Sequence, residues 1–427
     1  MSEALYEQRP LGDAVERHIG GGTPPRQVPS YWKGEIPWAS VKDFSEQKGV
    51  IQDTEEHISS AGLHASASNL IPEKMPLVCT RMAVGRAALP VVPMAINQDV
   101  KALFPASGVS AEYLLKLMQY IQPLAEGRAV GSTVKGIRIQ DYLNIPVPLA
   151  PQEAQPVIAQ ILDTLDTAIR ETEALIDKLK AVKQGLLNDL LTRGIDADGQ
   201  LRPPQSEAPQ LYKESPLGWI PREWECREFS ALAEYLNGNT FDAAAWTDTG
   251  FPIIRIQNLN GSRDFNYYAG AIQEKWHVHP GDLLFAWSGQ RGVSFGARLW
   301  DGPEGVLNQH IFRVLPKESL VSKAFLYRLL RFRQMNIEDA AHGFKDSFLH
   351  VTRGELGSVN AGVPPLDEQE RVELRITAYE SKLLAEGSEL GKLQSMKIGL
   401  MDDLLTGRVR VTPLLESVQQ PVGQTGA

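Results

Sequence analysis

The sequence predicts an α+β protein, in which two mixed α/β domains are separated by two long antiparallel coiled-coil helices related by an internal pseudo-twofold repeat. Three observations predict this fold class. Residues 151–192 align without a gap on residues 365–406, both segments have the apolar spacing of a coiled coil, and the segments that precede them repeat loosely. At 427 residues the chain is also too long for a single hydrophobic core, so we expect at least two domains.

The helical repeat is defined by identities at a constant offset of 214 residues. Similarity between two unrelated amphipathic helices would reproduce the apolar periodicity, but not the same polar residues and glycines at the same positions. The two segments are therefore predicted to be copies of one structural element. The identical pairs include Pro151 and Pro365, Gln155 and Gln369, Lys178 and Lys392, Lys183 and Lys397, Gly185 and Gly399, Asp189 and Asp403, and Thr192 and Thr406.

Apolar residues alternate at spacings of four and three along both copies, as at the seam of a coiled coil. Thr172 and Lys183 interrupt the first seam, and Glu386 and Lys397 interrupt the second seam at the same positions. A lysine at such a position fixes register or extends its charge outward, so we expect a structural role for Lys183. The predicted seam residues are Ile158, Leu162, Leu165, Ile169, Ile176, Leu179, Leu186 and Leu190 in the first helix, and Val372, Ile376, Tyr379, Leu383, Leu390, Leu393, Leu400 and Leu404 in the second.

Connectivity predicts how the helices pair. Each helix leaves the globular segment that precedes it, so helices that pair within the chain must be antiparallel. About 40 residues at 1.5 Å each give a rod on the order of 60 Å, with one domain expected at each end. Between the first helix and the second domain, Gly and Pro replace apolar periodicity and predict an exposed linker. The predicted boundaries are 1–150 for the first domain, 151–195 for the first helix, 196–216 for the linker, 217–364 for the second domain, 365–408 for the second helix and 409–427 for a C-terminal tail.

The globular segments repeat with drifting offsets, which predicts a shared scaffold with diverged detail. Residues 36–44 correspond to 251–259, and Asn97-Gln98 corresponds to Asn308-Gln309. Short apolar runs bounded by Gly and Pro predict strands, and one amphipathic segment per domain predicts a helix. The predicted strands include 91–95, 281–287 and 293–299, and the predicted helices are 113–121 and 323–333.

Composition and motifs limit the classes of function. The N-terminus lacks a basic and apolar leader, and no stretch reaches the roughly 20 apolar residues of a membrane helix, so we expect a soluble, cytoplasmic protein without a membrane partner. No methyltransferase, phosphate-loop, zinc-protease or dinucleotide-binding motif occurs, so no catalytic residue, cofactor or metal ion is predicted. Cys79 and Cys226 are expected to be buried, inert thiols. His277 and His279 share one face of a predicted strand, where we expect a surface or packing role.

Short motifs occur in the same order in the two halves. In the N-terminal half these motifs are Gly20-Gly21-Gly22-Thr23-Pro24, Ile36-Pro37-Trp38, Asn97-Gln98 and Gly131-Ser132-Thr133. The rest of the chain contains Leu217-Gly218-Trp219-Ile220-Pro221 with Trp224, and then Pro364-Pro365-Leu366-Asp367-Glu368-Gln369. In this order the motifs resemble the specificity subunits of Type I restriction-modification systems over residues 10–412. Two segments depart from that pattern, since Ala154-Gln155 replaces a Glu-Gln pair and residues 343–347 replace Gly-Ser-Thr.

The resemblance implies a non-catalytic, sequence-specific DNA-binding subunit with two target recognition domains. It implies a bipartite, asymmetric target with an unread spacer, and as partners double-stranded DNA, two modification subunits and restriction subunits. Those partners would methylate adenine and cleave DNA, with S-adenosylmethionine expected on the modification subunits. An orphan specificity subunit of a related DNA-modification defence system is the alternative. A standalone enzyme would bind S-adenosylmethionine or cut DNA by itself, and a coiled-coil adaptor would show no sequence-dependent DNA binding with its partners present.

The charge distribution qualifies the expected DNA binding. The net charge is −9, but most of the acidic excess lies on the helical segments and each globular segment is close to neutral. Because phosphate neutralisation dominates affinity for DNA, we expect the isolated chain to bind DNA weakly.

Base edges in the major groove are read mainly by Arg, Lys, Asn and Gln, with Ser and Thr as adaptable donors. Trp38 and Trp287 are expected to be core aromatics, not stacking platforms. Side-chain chemistry and position in predicted loops select the candidate DNA-binding residues Ser40, Lys42, Arg81, Arg86, Ser132 and Lys135 in the first domain, and Arg255, Gln257, Asn258, Gln290, Arg291 and Lys345 in the second.

Overall fold

The computed structural model describes residues 6–44, 49–341 and 348–411. The chain divides into two compact units: unit 1 comprises Met1–Ile176 and Glu386–Ala427, and unit 2 comprises Asp177–Ala385. Each unit contains one globular domain together with one part of each long helix. Within the described residues, no helix has both the length and the apolar character that crossing a bilayer requires.

In its described residues, the first domain contains a five-stranded sheet, a four-stranded sheet, a two-stranded pair formed by its first and last strands, and four short α-helices. Its strands are β1 (Gln8–Pro10), β2 (Val15–Gly20), β3 (Ile36–Ala39), β4 (Val50–Ile51), β5 (His57–Ile58), β6 (Asn69–Ile71), β7 (Leu77–Cys79), β8 (Ala87–Pro90), β9 (Met94–Ile96), β10 (Val100–Pro105) and β11 (Pro146–Pro148). Its helices are α1 (Ser60–His64), α2 (Ala111–Tyr120), α3 (Gln122–Arg128) and α4 (Ile139–Leu143). The larger sheet has the order β2-β10-β7-β8-β4, and the second sheet has the order β5-β3-β9-β6, in which β3 and β9 are parallel.

The first long helix, α5, extends over Gln155–Thr192, and the segment after it contains the hairpin β12 (Tyr212–Ser215) and β13 (Gly218–Pro221). The second domain then repeats the scaffold of the first. Its strands are β14 (Glu225–Glu228), β15 (Ala233–Asn237), β16 (Phe251–Ile254), β17 (Tyr267–Tyr268), β18 (His277–Val278), β19 (Leu283–Ala286), β20 (Ser288–Gln290), β21 (Gly296–Leu299), β22 (Gly305–Leu307), β23 (Ile311–Pro316), β24 (Phe348–His350) and β25 (Asn360–Val363). Its helices are α6 (Phe229–Leu232), α7 (Ile256–Leu259), α8 (Lys323–Phe332), α9 (Gln334–Ala340) and α10 (Arg353–Ser358), followed by the second long helix, α11 (Leu366–Thr406).

Apart from β4, which has no counterpart in the sheets of the described residues, the two main sheets of the second domain have the same strand order as those of the first. The order β15-β23-β19-β21 corresponds to β2-β10-β7-β8, and the order β17-β16-β22-β18 corresponds to β5-β3-β9-β6. The central pair β16 and β22 is parallel, as is its counterpart β3 and β9. The two domains therefore have one scaffold, as the loose sequence repeat predicts.

The repeated glutamines at the start of the long helices have the same role in both units. Gln155 accepts a hydrogen bond from the backbone N–H of Ser110 (3.2 Å) and donates to the carbonyl oxygen five residues before it (3.1 Å). Gln369 does the same with the N–H of Ser322 (3.0 Å) and the carbonyl oxygen five residues before it (2.9 Å). Both serines are N-caps, of α2 and α8 respectively. Each glutamine thus ties a long helix to its globular domain.

The long helices run antiparallel in unit 2. The backbone N–H of Ile195 donates to Glu368 Oε1 (3.0 Å), and Lys183 Nζ lies 2.7 Å from Glu380 Oε1. Residue numbers therefore rise along one segment as they fall along the other. The ion pair also confirms the structural role predicted for Lys183.

Unit 1 has the same antiparallel arrangement. Leu404 of α11 shares a hydrophobic core with Ile158 and Leu162 of α5, and Lys397 forms an ion pair with Asp166 further along both helices. Every predicted seam residue in α5 and α11 is buried or half-buried. The predicted coiled-coil seam is confirmed.

The segment 196–216, predicted to be an exposed linker, makes specific contacts in unit 2. Arg202 is 8% exposed, and its Nη2 donates to Glu368 Oε2 at 2.9 Å. Tyr212 is also buried. The partner of Arg202 lies 166 positions away in sequence, so local composition could not reveal the contact. Glu368 has this partner in unit 2, whereas the equivalent position of the first helix is Ala154.

Some local predictions differ from the structure. The segment 91–95 contains a turn, because β8 ends at Pro90 and β9 begins at Met94. The segment 293–299 likewise begins outside a strand, since β21 starts at Gly296, whereas 281–287 does contain β19. A short apolar run in the sequence does not show where a strand ends and the adjoining turn begins. Each domain also has short helices besides α2 or α8, and Cys226 is half-buried although Cys79 is buried as predicted.

Candidate nucleic-acid interface

In the first domain, polar residues collect where the parallel strands β3 and β9 end. Ser40 and Lys42 follow β3, and Asn97 and Gln98 follow β9. Neighbouring parallel strands have their carboxyl ends at the same edge, which is where open α/β sheets usually bind ligands. We call this region the first strand edge.

A glycine-rich loop lies against the first strand edge. A Cβ atom on Gly21 would lie 1.9 Å from the carbonyl oxygen of Ile96, so only glycine fits at this position. The close approach lets Thr23 Oγ1 donate a hydrogen bond to Gln98 Oε1 (2.6 Å). This contact explains why the glycine-rich motif and the Asn-Gln motif occur together.

The continuation of this loop is fixed by Arg26. Its guanidinium lies 3.7 Å from the ring centre of Trp32 and forms an ion pair with Glu56. Hydrogen bonds from Arg26 lower the pKa of Glu56, which favours the charged carboxylate. The loop beside the strand edge is thus positioned by an ion pair and by aromatic packing.

The second domain has an equivalent second strand edge where β16 and β22 end. Arg255 and Gln257 follow β16, and Asn308 and Gln309 follow β22. A Cβ atom on Gly238 would lie 2.1 Å from the carbonyl oxygen of Asn308, so a glycine again permits the close approach. The backbone geometry is repeated, while the side chains at the edge differ from those of the first domain.

Two buried polar atoms at the second strand edge have no hydrogen-bond partner among the described residues. They are Arg255 Nε and Gln309 Oε1. Arg255 Cζ lies 4.4 Å from the ring centre of Trp246, which positions the guanidinium. Because unsatisfied buried polar atoms are costly, this edge is suited to binding a polar ligand.

In the first domain, a further group of predicted residues lies beside the strand edge. Arg81 forms a bridge with Gly136, and the N–H of Met82 donates to the carbonyl oxygen of Lys135 (2.9 Å). Arg81 Nη1 also lies 3.3 Å from Asp99 Oδ1, one residue beyond Gln98. The structure therefore brings Arg81 and the loop that contains Ser132 and Lys135 together, next to the first strand edge.

The second domain repeats this arrangement with a short sheet. Gln290 of β20 pairs with Phe348 of β24, in the place of the Arg81–Gly136 bridge. Arg291 follows β20 and is exposed, with its Nε 3.5 Å from Glu338 Oε2. Lys345, predicted to contact DNA, lies outside the described residues.

The exposure of the predicted residues separates them into two groups. Seven side chains are exposed and accessible to a ligand, and Arg255 is half-buried. The exposed ones are Lys42, Arg81, Ser132, Lys135, Gln257, Gln290 and Arg291. Lys42 is 3.4 Å from Glu55 in an exposed ion pair, which is weak in water.

The other predicted residues have structural contacts. Asn258 is 4% exposed; its Oδ1 accepts from the N–H of Arg255 (2.9 Å), and its Nδ2 donates to the carbonyl oxygens of Ser262 and Asp264. The Asn258 side chain is therefore buried and bound to the backbone of its own turn, and the DNA contact predicted for it stays a prediction.

Ser40 and Arg86 also have internal partners. Ser40 caps a 3-10 turn, where Asp43 Oδ2 accepts from its N–H (2.7 Å) and from its hydroxyl (3.0 Å). Arg86 is half-buried, and its Nη1 donates to the carbonyl oxygen of Phe44 (3.3 Å). Both residues shape the turn after β3, which leaves Lys42 as the exposed side chain of that turn.

Sequence reasoning missed residues that follow β9 and β22. Gln98 is exposed, and His310 is exposed beside Gln309. The Asn-Gln repeat was the available signal. It became informative only when the parallel pairing placed those residues beside the turns after β3 and β16.

Trp38 is buried in the core as predicted, and Trp287 packs against the core of unit 2 as predicted but is not fully covered. Trp287 is half-buried, and its Nε1 donates to the carbonyl oxygen of Gln309 (3.0 Å). Its ring centre lies 5.2 Å from that of His310 and 4.7 Å from that of His350. Trp287 therefore forms part of the surface beside the second strand edge.

The family model for the Type I restriction modification DNA specificity domain matches residues 4–181 and 221–388, so that two copies cover most of the chain. The chain belongs to this family. Each match includes one globular domain and the beginning of the long helix that follows it.

Curated relatives in the family are distant in sequence. The chain is 22% identical to the Type I restriction enzyme MjaIX specificity subunit of Methanocaldococcus jannaschii, over 92% of this chain and 91% of the relative. It is 22% identical to the MjaVIII specificity subunit of the same organism, over 71% of each chain. A shorter match to the EcoR124I/EcoR124II specificity subunit of Escherichia coli has 27% identity over 39% of this chain and 42% of the relative.

Solved structures share the fold. A Type-I restriction-modification system S subunit from M. genitalium superposes with a TM-score of 0.57 at 14% identity, over 95% of this chain and 97% of that chain. A chain from a study of complex assembly and conformational transition of the type I R-M system superposes with a TM-score of 0.59 at 15% identity, over 96% of this chain and 100% of that chain. At these identities the likeness concerns the fold alone.

Proposed function

We propose that this protein is the DNA-specificity subunit of a Type I restriction-modification complex, and that it reads a bipartite, asymmetric target with an unread spacer. One observation carries the proposal: two domains of one topology have equivalent strand edges with different side chains. Membership of the DNA specificity family supports the same function. A repeated scaffold with different contact residues is what two readers of different half-sites need.

The chemistry of the two edges suits DNA. Gln98 and Lys42 at the first edge, and Arg255, Gln309 and His310 at the second, offer donors and acceptors for base edges and phosphates. The adjoining loops add Arg81 and other exposed polar residues. Since both domains are near neutral, we infer that specific binding is tight only in the assembled complex.

The partners follow from the same proposal. Two modification subunits would bind the chain, carry S-adenosylmethionine and methylate adenine, and restriction subunits would cleave DNA. The chain itself would be non-catalytic and would hold no cofactor. Two modification subunits agree with a chain that contains two units and two copies of one family domain.

Domain exchange tests the two-reader model. In the reconstituted complex, residues 1–150 are replaced by the corresponding domain of another family member, and methylated sites are mapped by methylome sequencing. One half of the target is expected to change while the other half stays the same. The reciprocal exchange of 217–364 should change only the other half, and a change of both halves by a single exchange would contradict the model.

A point variant tests the first strand edge. Gln98→Ala is expected to relax specificity at one base pair of one half-site, at a cost of about 1–3 kcal/mol in binding by the complex. Gln52→Ala is the matched control, since Gln52 is exposed in the same domain but follows β4 instead of β9. Unchanged specificity in Gln98→Ala, or the same loss in Gln52→Ala, would remove this edge from the interface.

A further inference from the structure

A cluster of metal-binding side chains lies in the second domain, away from the second strand edge. His277 and His279 lie in and just after the edge strand β18, and Glu304 directly precedes β22, its antiparallel neighbour. The second strand edge lies at the other end of β22, where Gln309 follows. The cluster is therefore separate from the proposed DNA interface.

The three ligand atoms converge on one point. His277 Nε2 lies 2.7 Å from Glu304 Oε1, and His279 Nδ1 lies 3.6 Å from the same oxygen. All three ligand atoms lie within 4.8 Å of one another. Ligands at 2.0–2.2 Å from a tetrahedral zinc ion are separated from one another by about 3.4 Å, so these spacings bracket a metal site.

One nitrogen atom of this cluster lacks the hydrogen bond that a buried polar atom normally makes. His277 Nε2 is buried and has no hydrogen-bond partner among the described residues, although Glu304 Oε1 is close to it. The contact therefore has the distance but not the angles of a hydrogen bond. Two groups that lie this close without a hydrogen bond between them, with a third ligand atom within 4.8 Å, can bind one ion together.

The other described groups near the imidazoles are aromatic rings and a carboxylate that is already paired with an arginine. The rings of His277 and His279 lie 4.4 Å apart, and that of Phe251 lies 5.6 Å from His277 on another side. The nearby carboxylate of Glu274 is bound by Arg313 Nη1 at 3.0 Å. Two imidazoles and one carboxylate form a donor set that suits zinc and similar divalent transition metals.

We propose that His277, His279 and Glu304 bind a divalent transition-metal ion of the zinc class, which joins β18 to the start of β22. Three protein ligands leave one tetrahedral position for solvent. The ion fixes an edge strand that has only two residues. This role differs from the surface or packing role expected for the histidines from the sequence.

The first domain does not repeat the site. Its corresponding edge strand, β6, pairs with β9 as β18 pairs with β22, but consists of Asn69, Leu70 and Ile71. The inferred ion is therefore a property of the second domain and is independent of the proposed DNA contacts.

Zinc titration of the full chain tests the site. Protein without a polyhistidine tag is freed of metal with a chelator and titrated with zinc chloride by calorimetry, and bound zinc is counted after desalting. About one equivalent is expected for the wild-type chain. His277→Ala, His279→Ala and Glu304→Gln are each expected to weaken zinc binding by at least about 100-fold, because loss of even an outer partner of a ligand costs 10- to 100-fold.

Controls separate a lost ligand from a lost fold. His18→Ala removes an exposed histidine from a strand of the first domain and should bind zinc like the wild type. His279 and Glu304 are exposed, so their variants should keep the wild-type circular dichroism and thermal unfolding in chelator, while losing the zinc-dependent rise in Tm. No zinc bound by the wild type, or equal binding by the ligand variants, would overturn the proposal.

Discussion

Lys183 of α5 and Glu380 of α11 form an ion pair in unit 2, with 2.7 Å between Nζ and Oε1. Their equivalents in the sequence repeat, Lys397 and Asp166, form an ion pair in unit 1 with the helices exchanged. Each globular domain adds one more cation to the acid, Arg328 to Glu380 and Lys116 to Asp166. The repeat therefore conserves an ionic contact that fixes helix register and attaches each domain to the seam.

The unit 1 network should contribute strongly to stability. Lys116 is 1% exposed, and Asp166→Ala removes the more buried of the two carboxylates beside it. We expect the unfolding free energy to fall by about 1.5–3 kcal/mol, because Lys116 loses its buried partner and keeps only the more exposed Asp163. Urea denaturation followed by circular dichroism measures the change. The control Asp177→Ala breaks an exposed pair with Lys180 and should cost less than about 1 kcal/mol; equal losses would contradict this role.

The unit 2 network predicts an acid dependence of stability. Hydrogen bonds from Arg328, aided by Lys183, lower the pKa of Glu380 to about 2. Since the folded pKa lies below the unfolded one, this contribution is complete above about pH 5 and is lost as the pH falls towards 2. Glu380→Gln should be less stable at pH 7 and should lose less stability between pH 5 and pH 2. Denaturant midpoints across this range provide the test, and parallel pH profiles would exclude it.

Lowering of a carboxyl pKa also occurs in unit 1. Burial raises the pKa of Asp166, but Lys116 and Lys397 outweigh burial and lower it overall. The double variant Asp166→Asn with Glu380→Gln should therefore have a shallower acid dependence than either single variant. An effect of the double variant no larger than that of Glu380→Gln would show that Asp166 does not contribute.

Three glycines should respond differently to alanine. Gly194 has φ +65°, and its added Cβ would lie 2.1 Å from Glu368 Oε1 and 2.5 Å from Trp224, so Gly194→Ala should destabilise by at least about 2 kcal/mol. Gly199 has φ +75° with open space around it, so only the backbone strain of about 1–2 kcal/mol is expected. Gly185 lies inside α5 with no neighbour, and Gly185→Ala should stabilise by about 0.5–1 kcal/mol. The unfolding free energy should therefore be highest for Gly185→Ala, lower for Gly199→Ala and lowest for Gly194→Ala, and any other order would contradict the prediction.

Helix length should set the unread spacer of the proposed target. Seven residues inserted after Ile176 in α5 and seven after Ala385 in α11 preserve the seam and both ion pairs, and lengthen each helix by about 10 Å. Methylome sequencing should show the same half-sites with a spacer about three base pairs longer. The insertion in α5 alone is the control, since it shifts the register and should reduce activity. If the double insertion kept full activity with an unchanged spacer, helix length would not set the spacer.

The structure shows why those insertions belong in the middle of the helices. Thr192 ends α5, but Leu191 lies in the core of unit 2 and Ile195 is bonded to Glu368 just beyond it. Residues inserted after Thr192 would move Ile195 away from Leu191 and disrupt these contacts. The hydrophobic cores of the two units include α5 only near its ends, with Ile158 and Leu162 in one core and Leu190 and Leu191 in the other.

The sequence by itself determined the repeated helices, their seam and the shared scaffold of the domains. The reason is that these features depend on periodicity within a helix and on identical residues at one offset, such as Gln155 with Gln369 and Lys183 with Lys397. The position of the seam could be predicted because every turn of an amphipathic helix repeats the same apolar side. The resemblance of the ordered motifs to a known family was also readable without any structure.

Only the tertiary structure decided which polar residues lie together. The edge residues Gln98 and Gln309 are set beside Lys42 and Arg255 by parallel strand pairs whose members are about 55 residues apart in sequence. Asn258 has the composition of a DNA contact, yet it is buried because carbonyl groups of its own turn bind its amide. Hydrogen bonding to the backbone and pairing between distant strands leave no periodic signal in the sequence, so burial and proximity of these side chains followed only from the fold.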